Sequence, residues 1–200
     1  ARSNGRAGGF GKNEAFPGRN AGVSMRHDLT RGLAAAAFLV AWGMTAGAAP
    51  LERVFVLEGF ATPEGVAVDP ETGTAYVSNM NTPPETYWQD TGKGFISRMA
   101  PGGKLEGLRW VDSTPEHVLN QPKGMAVMAG WLHVADNQRL LSFALADGKP
   151  GPVVEVPGAE RLNDVAAFDG KVYVSDVATG KIHRMDTKAG NALDVVAEIE

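Results

Sequence analysis

The phrase Pro63-Glu64-Gly65-Val66-Ala67-Val68 decides the fold of this chain, because it occurs three times. The two further copies are Pro122-Lys123-Gly124-Met125-Ala126-Val127 and Leu162-Asn163-Asp164-Val165-Ala166-Ala167. After each copy comes a turn, and then a second apolar run that ends at Asn79, Asp136 or Asp176. The chain is therefore an array of repeats.

The spacing of the repeats indicates their type. Ala126 and Ala166, the fifth residues of the second and third copies, are 40 residues apart, whereas Ala67 and Ala126 are 59 apart. A period of about 40 residues made of short strands and turns is typical of a β-propeller blade. The longer interval contains residues 79–93, which have no counterpart in the later units and are predicted to form a long loop.

Each of the later units has room for four short strands. The predicted strands are 125–127, 131–135, 139–143 and 153–156, followed by 165–168, 172–175, 181–185 and 193–196. Asp169-Gly170 between two β-rich runs is a strong hairpin signal. The predicted fold is all-β, a β-propeller of four-stranded antiparallel blades, with blades at about 62–113, 121–157 and 161–197 in a domain that spans 49–200.

Three blades are too few for a closed ring, since propellers have about four to eight. The β-rich run at 51–57 precedes the first phrase, where a propeller often has a strand that completes its last blade. We therefore expect this sequence to hold about three of six blades, with the others beyond Glu200.

The region before the repeats has the pattern of an export signal. Residues 1–24 are rich in Gly, Arg and Asn, and we expect them to be disordered or foreign to the mature protein. Residues 25–48 have a basic start, an apolar stretch at 32–44 and the cleavage pattern Ala46-Gly47-Ala48, which predicts a signal peptide. A membrane anchor is the alternative, but 13 apolar residues fall short of the ~20 that span a bilayer. The predicted location is periplasmic or secreted, without stable membrane insertion.

Composition excludes several classes of function. The 200 residues include no Cys, so disulfides and thiol nucleophiles are ruled out. Residues 1–31 carry a charge of +4 within a total of −4, which leaves −8 on the remainder. An acidic globular part argues against nucleic acid as a partner and is compatible with cation binding, although solubility alone would explain it equally well.

The second position of the phrase varies while its neighbours repeat, and it holds Glu64, Lys123 and Asn163. Equivalent positions of propeller blades lie at equivalent radius and height, so these side chains should surround one end of the central channel. The strand ends at Asn79, Asp136 and Asp176 should lie on the same face, and the 79–93 insertion could cover it with Tyr87 and Trp88.

These residue types suggest a cation site. A carboxylate with amide oxygens suits a hard divalent cation such as calcium or magnesium, which could polarise a carbonyl or activate water. Lys123 would be repelled by such a cation and is better suited to bind a substrate oxygen. For Asp136 and Asp176 the favoured interpretation is structural, because an Asp at a strand end usually accepts hydrogen bonds from turn backbone.

Other catalytic patterns are missing from the sequence. None of the four His residues forms a pair at metal-ligand spacing, and there is no G-x-S-x-G elbow, P-loop or G-x-G-x-x-G.

At these residues the chain resembles the senescence marker protein (regucalcin) and gluconolactonase-like six-bladed propellers. The resemblance covers 51–200 and rests on Pro63-Glu64-Gly65, on Leu162-Asn163-Asp164-Val165 and on Gly170-Lys171-Val172-Tyr173-Val174-Ser175-Asp176. It implies one divalent cation on the channel axis, calcium, magnesium or zinc, and hydrolysis of sugar lactones or related esters. By resemblance Glu64 is a metal ligand and Asn163 contacts the substrate or a metal-bound water.

The resemblance also implies ligands that this sequence does not contain. An Asn in a Pro-Asn-Gly phrase and an Asp in an Asp-Gly phrase would lie in the fourth and fifth blades, and that Asp is the expected general base, beyond Glu200. The first hypothesis is an exported metal-dependent lactone or ester hydrolase, with Asn163 and Lys123 binding a small-molecule substrate. The second is a non-catalytic periplasmic propeller that binds a ligand or a protein. Substrate, metal and oligomeric state are left open.

Overall fold

A computed structural model describes residues 53–199 of the chain, and the predicted segments 1–24 and 25–48 lie outside this range. Its strands form three antiparallel four-stranded sheets, each with neighbouring strands in chain order. Blade 1 has β1 (Pro63–Val68), β2 (Ala75–Asn79), β3 (Phe95–Met99) and β4 (Leu105–Asp112). Blade 2 has β5 (Pro122–Met128), β6 (Trp131–Asp136), β7 (Arg139–Ala144) and β8 (Val154–Glu155). Blade 3 has β9 (Leu162–Phe168), β10 (Lys171–Asp176), β11 (Lys181–Asp186) and β12 (Ala192–Glu198). The all-β prediction with four-stranded blades is confirmed.

The first strand of each later blade starts three residues earlier than predicted, because the whole phrase is paired. A β-bulge is the reason. In blade 1, Pro63 pairs with Asn79 and Val66 pairs with Val77, so one extra residue is accommodated at Glu64-Gly65. The same shift occurs between Pro122 and Met125 and between Leu162 and Val165. A bulge re-aims side chains and often lies beside a functional site.

In each blade, the last residue of the second strand accepts hydrogen bonds from the backbone just before the first strand. The Asn79 Oδ1 atom accepts a hydrogen bond of 3.0 Å from the backbone N–H of Ala61. In blade 2 the Asp136 carboxylate accepts from the backbone N–H groups of Asn120 and Gln121. In blade 3 the Asp176 carboxylate accepts from Glu160 and Arg161, at 2.8 and 3.1 Å. We call this arrangement the strand-end clamp; it confirms the structural interpretation of both aspartates.

Blade 2 packs between the other two blades. One apolar cluster joins blades 1 and 2 and includes Tyr76, Ile96, Val134 and Phe143. A second joins blades 2 and 3 through residues such as Leu140, Leu162, Val172 and Met185. Burial of these side chains is the main favourable contribution to the packing.

The inner strands approach each other closely at the bulges, and the third phrase position shows how closely. A Cβ atom on Gly65 would lie 2.7 Å from the carbonyl oxygen of Lys123, and one on Gly124 would lie 2.7 Å from that of Asn163. Only glycine fits backbone contacts of this kind. The second-position residues of the three phrases are consequently neighbours.

Two predictions about the N-terminal part of blade 1 have different outcomes. The 51–57 run is expected to complete a last blade; its described residues 53–57 lie outside the three described sheets, so that expectation stays a prediction. Val54 is 82% and Val56 64% exposed, because the described sheets offer them no ladder to join. Residues 80–94 form a long loop with one short 3-10 helix, Pro84–Thr86, as the insertion predicted. Within the described range no helix has the length and apolar character to cross a membrane.

The clamp predicts a large effect of substitution at Asp136. Asp136→Ala would leave the Asn120 and Gln121 N–H groups without an acceptor and Arg139 without its 2.8 Å ion-pair partner. We expect a loss of about 3 kcal/mol in unfolding free energy, measured by urea denaturation, since buried unpaired groups are costly. Asp147→Ala, at a surface ion pair, is the control and should change stability little. Equal effects of the two substitutions would contradict the clamp.

Candidate functional site

The candidate site lies where the three phrases begin, at the clamped end of the inner strands. Glu64, Lys123 and Asn163 occupy the bulges of β1, β5 and β9, and the backbone contacts at Gly65 and Gly124 bring these bulges together. The structure therefore places the three predicted site residues side by side along the inner edge of the blades. We call this region the phrase mouth.

Glu64 is coupled electrostatically to residues of both other blades. Glu64 is exposed, but surrounding protein atoms partly desolvate its carboxyl group and raise its pKa; the positive charge of Lys123 lowers that pKa, and the negative charge of Asp164 raises it. Lys123 and Asp164 therefore each lie within electrostatic range of the Glu64 carboxyl group. A carboxyl group with a raised pKa at a mouth is a common feature of sites that bind cations or transfer protons.

Of the three predicted site residues, Lys123 has the environment that differs most from the one predicted. Its side chain is only 1% exposed, and its ammonium donates to the Gln121 carbonyl oxygen at 3.0 Å and to the Asn137 Oδ1 at 3.2 Å. The Trp88 ring covers it, with Nζ 4.1 Å from the ring centroid. Burial lowers the pKa of Lys123 to about 8, and the charges of Asp136 and Glu64 limit the fall. Direct contact of Lys123 with a substrate would require Trp88 to move.

The insertion that carries Trp88 and covers Lys123 is anchored by side-chain hydrogen bonds. Gln121 bonds both ends of the insertion, because its Oε1 accepts from Thr82 at 3.0 Å and its Nε2 donates to Thr91 at 3.1 Å. The Asp90 carboxylate accepts from Asn137 Nδ2 at 2.8 Å. Trp88 also lies 5.6 Å from the guanidinium of Arg161, so the insertion reaches residues that enter blade 3.

The strand-end residues contribute little coordinating capacity to the mouth. Asn79 and Asp136 are fully buried, and their side-chain oxygens are used by the clamp. Burial alone would raise the pKa of Asp176, but hydrogen bonds from the backbone of Glu160, Ala178 and Arg161 together lower it. These residues position the phrases.

Sequence reasoning missed two contributors to the phrase mouth. Asp164 stands where the other two phrases have Gly65 and Gly124, and this substitution was the signal that could have identified it. Asn137 links Lys123 to Asp90 of the insertion. It follows directly after Asp136 in a turn, where no sequence pattern distinguishes it from an ordinary turn residue.

The donor atoms at the mouth fit a hard divalent cation only as a partial set. Glu64 and Asp164 supply carboxylates and Asn163 an amide oxygen, the ligand types that calcium and magnesium prefer. Among residues 53–199, however, no group of three or more His, Cys, Asp and Glu side chains is arranged to hold a metal ion. Any complete cation site would need further oxygen donors.

Comparisons with known proteins agree on the fold. No protein-family model and no curated protein matches the chain. Among solved structures, a chain of the nidogen/laminin complex matches with a TM-score of 0.51 and 19% identity, over 70% of this chain and 47% of that one. Selenomethionine-substituted virginiamycin B lyase from Staphylococcus aureus matches with a TM-score of 0.50 and 14% identity, over 69% and 41%.

These neighbours define the class of protein. Both are β-propeller-type folds, and the chain is accordingly a β-propeller-type protein built of four-stranded blades. It spans less than half the length of either neighbour. Identities below one fifth show a shared fold and carry no activity from one protein to another.

The buried lysine predicts an unusual dependence of stability on pH. The folded-state pKa of about 8 lies below the ordinary lysine value of 10.5, so the unfolded chain binds the proton more tightly between these values. Stability should therefore rise with pH across this window, by about 3 kcal/mol relative to Lys123→Met, which has no such group. Urea unfolding of both proteins from pH 8 to pH 10.5 measures the difference. Parallel curves for the two proteins would show that Lys123 is not buried as a cation.

Proposed function

We propose that this chain is part of an exported hydrolase that acts on sugar lactones or related esters with the help of one divalent cation. The observation that carries the proposal is the convergence of Glu64, Lys123 and Asn163 from three blades on the phrase mouth. The resemblance of the phrases to gluconolactonase-like propellers supports the reaction class, and the signal pattern at 25–48 supports export.

Glu64 is the residue that would hold the cation, with oxygens of the Asn163 and Asp164 pair beside it. When bound, the cation would supply Lewis-acid polarisation of the ester carbonyl and a lower pKa for water. Glu64 suits this role because its carboxyl is partly desolvated and close to the charge of Asp164, so binding a cation would relieve both unfavourable effects.

Asn163 would orient the substrate, because its amide can donate and accept hydrogen bonds and is half-buried at the inner edge. Lys123 would act on the substrate's oxygens through space, from beneath Trp88. A buried charge is weakly screened, so its field extends into the mouth. A positive charge that is already in position when the reaction begins stabilises the negative charge that develops on an ester oxygen.

The decisive experiment measures cation affinity, because it tests the role of Glu64 directly and does not depend on which residue is the general base. Calcium and magnesium are each titrated into the full chain by isothermal titration calorimetry. Glu64→Gln should lose at least about tenfold in affinity, because an amide is a weaker ligand than a carboxylate. Glu71→Gln, on an exposed turn after β1, is the matched control and should bind as the unmodified chain does. Unchanged affinity in Glu64→Gln would contradict the assignment.

A second candidate function is a non-catalytic propeller that binds a ligand or a protein partner. The observation in its favour is the buried ammonium of Lys123, which opposes a divalent cation, together with the partial ligand set in the described residues. One structural neighbour was crystallised in a complex with laminin, which shows that the fold can serve binding. Partner binding that persists in a chelator, without lactone turnover, would support this candidate.

A further inference from the structure

One row of side chains that crosses the first three strands of every blade has a different composition in blade 2. In blade 1 the row consists of Ala67, Tyr76 and Arg98. In blade 3 it consists of Ala166, Tyr173 and Arg184. In blade 2 the same positions hold Ala126, His133 and Ser142. Blade 2 keeps the alanine but has a smaller residue at each of the other two positions.

The row in blade 2 faces blade 3. Ala126 packs against the apolar cluster that joins these two blades, and His133, its partner on the next strand, lies on the same face of the sheet. In blade 1 the equivalent residue is Tyr76, which is 1% exposed and belongs to the cluster that joins blades 1 and 2. The smaller side chains of blade 2 therefore leave space that Tyr76 fills at the other interface.

A cavity of about 220 Å³ lies between blades 2 and 3 at this row. His133 and Ser142, each 4% exposed, form its buried end, and the exposed residues Ala129 and Pro152 lie at its rim. Thr187 and other residues of the turn before β12 supply the wall on the side of blade 3.

The cavity is separate from the phrase mouth. Strand β5 begins at Pro122, in the phrase mouth, and ends at Met128, which lines the cavity. The two sites therefore lie at opposite ends of β5, and both walls of the cavity belong to described blades.

The His133 and Ser142 side chains form a polar pair at the buried end. His133 Nδ1 and Ser142 Oγ share a hydrogen bond of 3.0 Å. The other ring nitrogen, Nε2, is buried and has no hydrogen-bond partner among residues 53–199. Nearly all buried polar atoms of folded proteins are paired, so an unpaired one requires an explanation. An imidazole that lines a cavity and keeps one nitrogen unpaired has a hydrogen bond left to offer a bound molecule.

The lining of the cavity carries no formal charge. None of its residues is Asp, Glu, Lys or Arg. Burial lowers the pKa of His133 to about 4, so its imidazole is neutral at pH 7. A charged molecule would lose its hydration here without gaining a partner of opposite charge, which is costly. The cavity therefore favours an uncharged ligand.

Size and surface chemistry indicate the ligand's shape. An apolar protein cavity of roughly 150 Å³ can bind benzene, so 220 Å³ has room for a substituted six-membered ring. Trp131 and Met128 line the wall, and both residue types pack well against an aromatic ring. A hydroxyl group on the ring can donate as well as accept, so it suits the His133–Ser142 pair in either tautomer of the imidazole.

We propose that the cavity between blades 2 and 3 binds an uncharged molecule of the phenol class, a single ring that carries a hydroxyl group. The ring lies against Trp131 and Met128, and the hydroxyl group forms hydrogen bonds with the His133–Ser142 pair. This inference does not depend on the proposed reaction, because the cavity and the phrase mouth share no residue.

Isothermal titration calorimetry of the full chain tests the proposal with 4-methylphenol and toluene, which differ only in the hydroxyl group. We expect saturable binding of 4-methylphenol that is about tenfold tighter than that of toluene, the factor that one hydrogen bond contributes. Ser142→Ala should remove most of this difference and keep toluene binding, because it deletes a hydroxyl group and leaves the cavity open. Ser175→Ala, at a serine of blade 3 outside the cavity, is the matched control and should change neither affinity.

A filled cavity provides the second test. The double substitution His133→Tyr with Ser142→Arg gives blade 2 the row found in blades 1 and 3. We expect this variant to bind neither 4-methylphenol nor toluene, because the larger side chains occupy the cavity. Circular dichroism checks that it is folded.

Three results would overturn the proposal. Absence of saturable 4-methylphenol binding would show that the cavity holds water only. Equal affinities for 4-methylphenol and toluene would show that the polar pair does not recognise a hydroxyl group. Undiminished binding in the folded double variant would place the ligand elsewhere on the protein.

Discussion

The strand-end clamp is the interaction on which the remaining structure depends. A carboxylate or amide at the end of each second strand accepts the backbone N–H groups that precede the first strand. This contact sets where each phrase begins, and the bulge that follows sets where its second side chain points. In blade 2 the clamp extends further, since Asp136 holds Gln121, and Gln121 anchors both ends of the insertion that covers Lys123. The position of each phrase thus depends on one repeated hydrogen-bond pattern, and in blade 2 the same pattern leads to the residue that anchors the cover.

The mouth combines groups that stability alone would not select. The buried ammonium of Lys123 is surrounded by one backbone oxygen, one side-chain oxygen and an aromatic ring. The negative charge of Asp164 lies close enough to Glu64 to raise the pKa of the Glu64 carboxyl group. Burying a charge costs free energy even when it is paired. Local departures of this kind, within a chain that otherwise follows its repeat, are expected at functional positions. Apart from these residues and Asn163, the three phrases hold apolar residues, proline and glycine, which serve packing.

The sequence predicted the blade architecture because the repeat, the hairpin turns and the alternation of apolar residues are local signals. It also predicted that the phrases of successive blades would be neighbours, since equivalent positions of a repeat occupy equivalent places. It did not predict the bulge, which adds a residue without changing the apolar pattern. Nor did it predict the burial of Lys123, which depends on where Trp88 of a non-repeating insertion folds. The 51–57 run has the composition of a strand, but strand formation requires a partner ladder, and composition does not supply one.

Charged residues of the three phrases, Glu64, Lys123 and Asp164, form a single electrostatic unit at the phrase mouth. The most direct test is the pKa of Glu64, measured by carbon-13 NMR of its carboxyl group in the unmodified chain, in Lys123→Met and in Asp164→Asn. Removal of the lysine charge should raise the pKa of Glu64, and removal of the aspartate charge should lower it, since each reverses the effect of that neighbour. If neither substitution moves the pKa of Glu64, the three phrases do not converge and the proposed site does not exist.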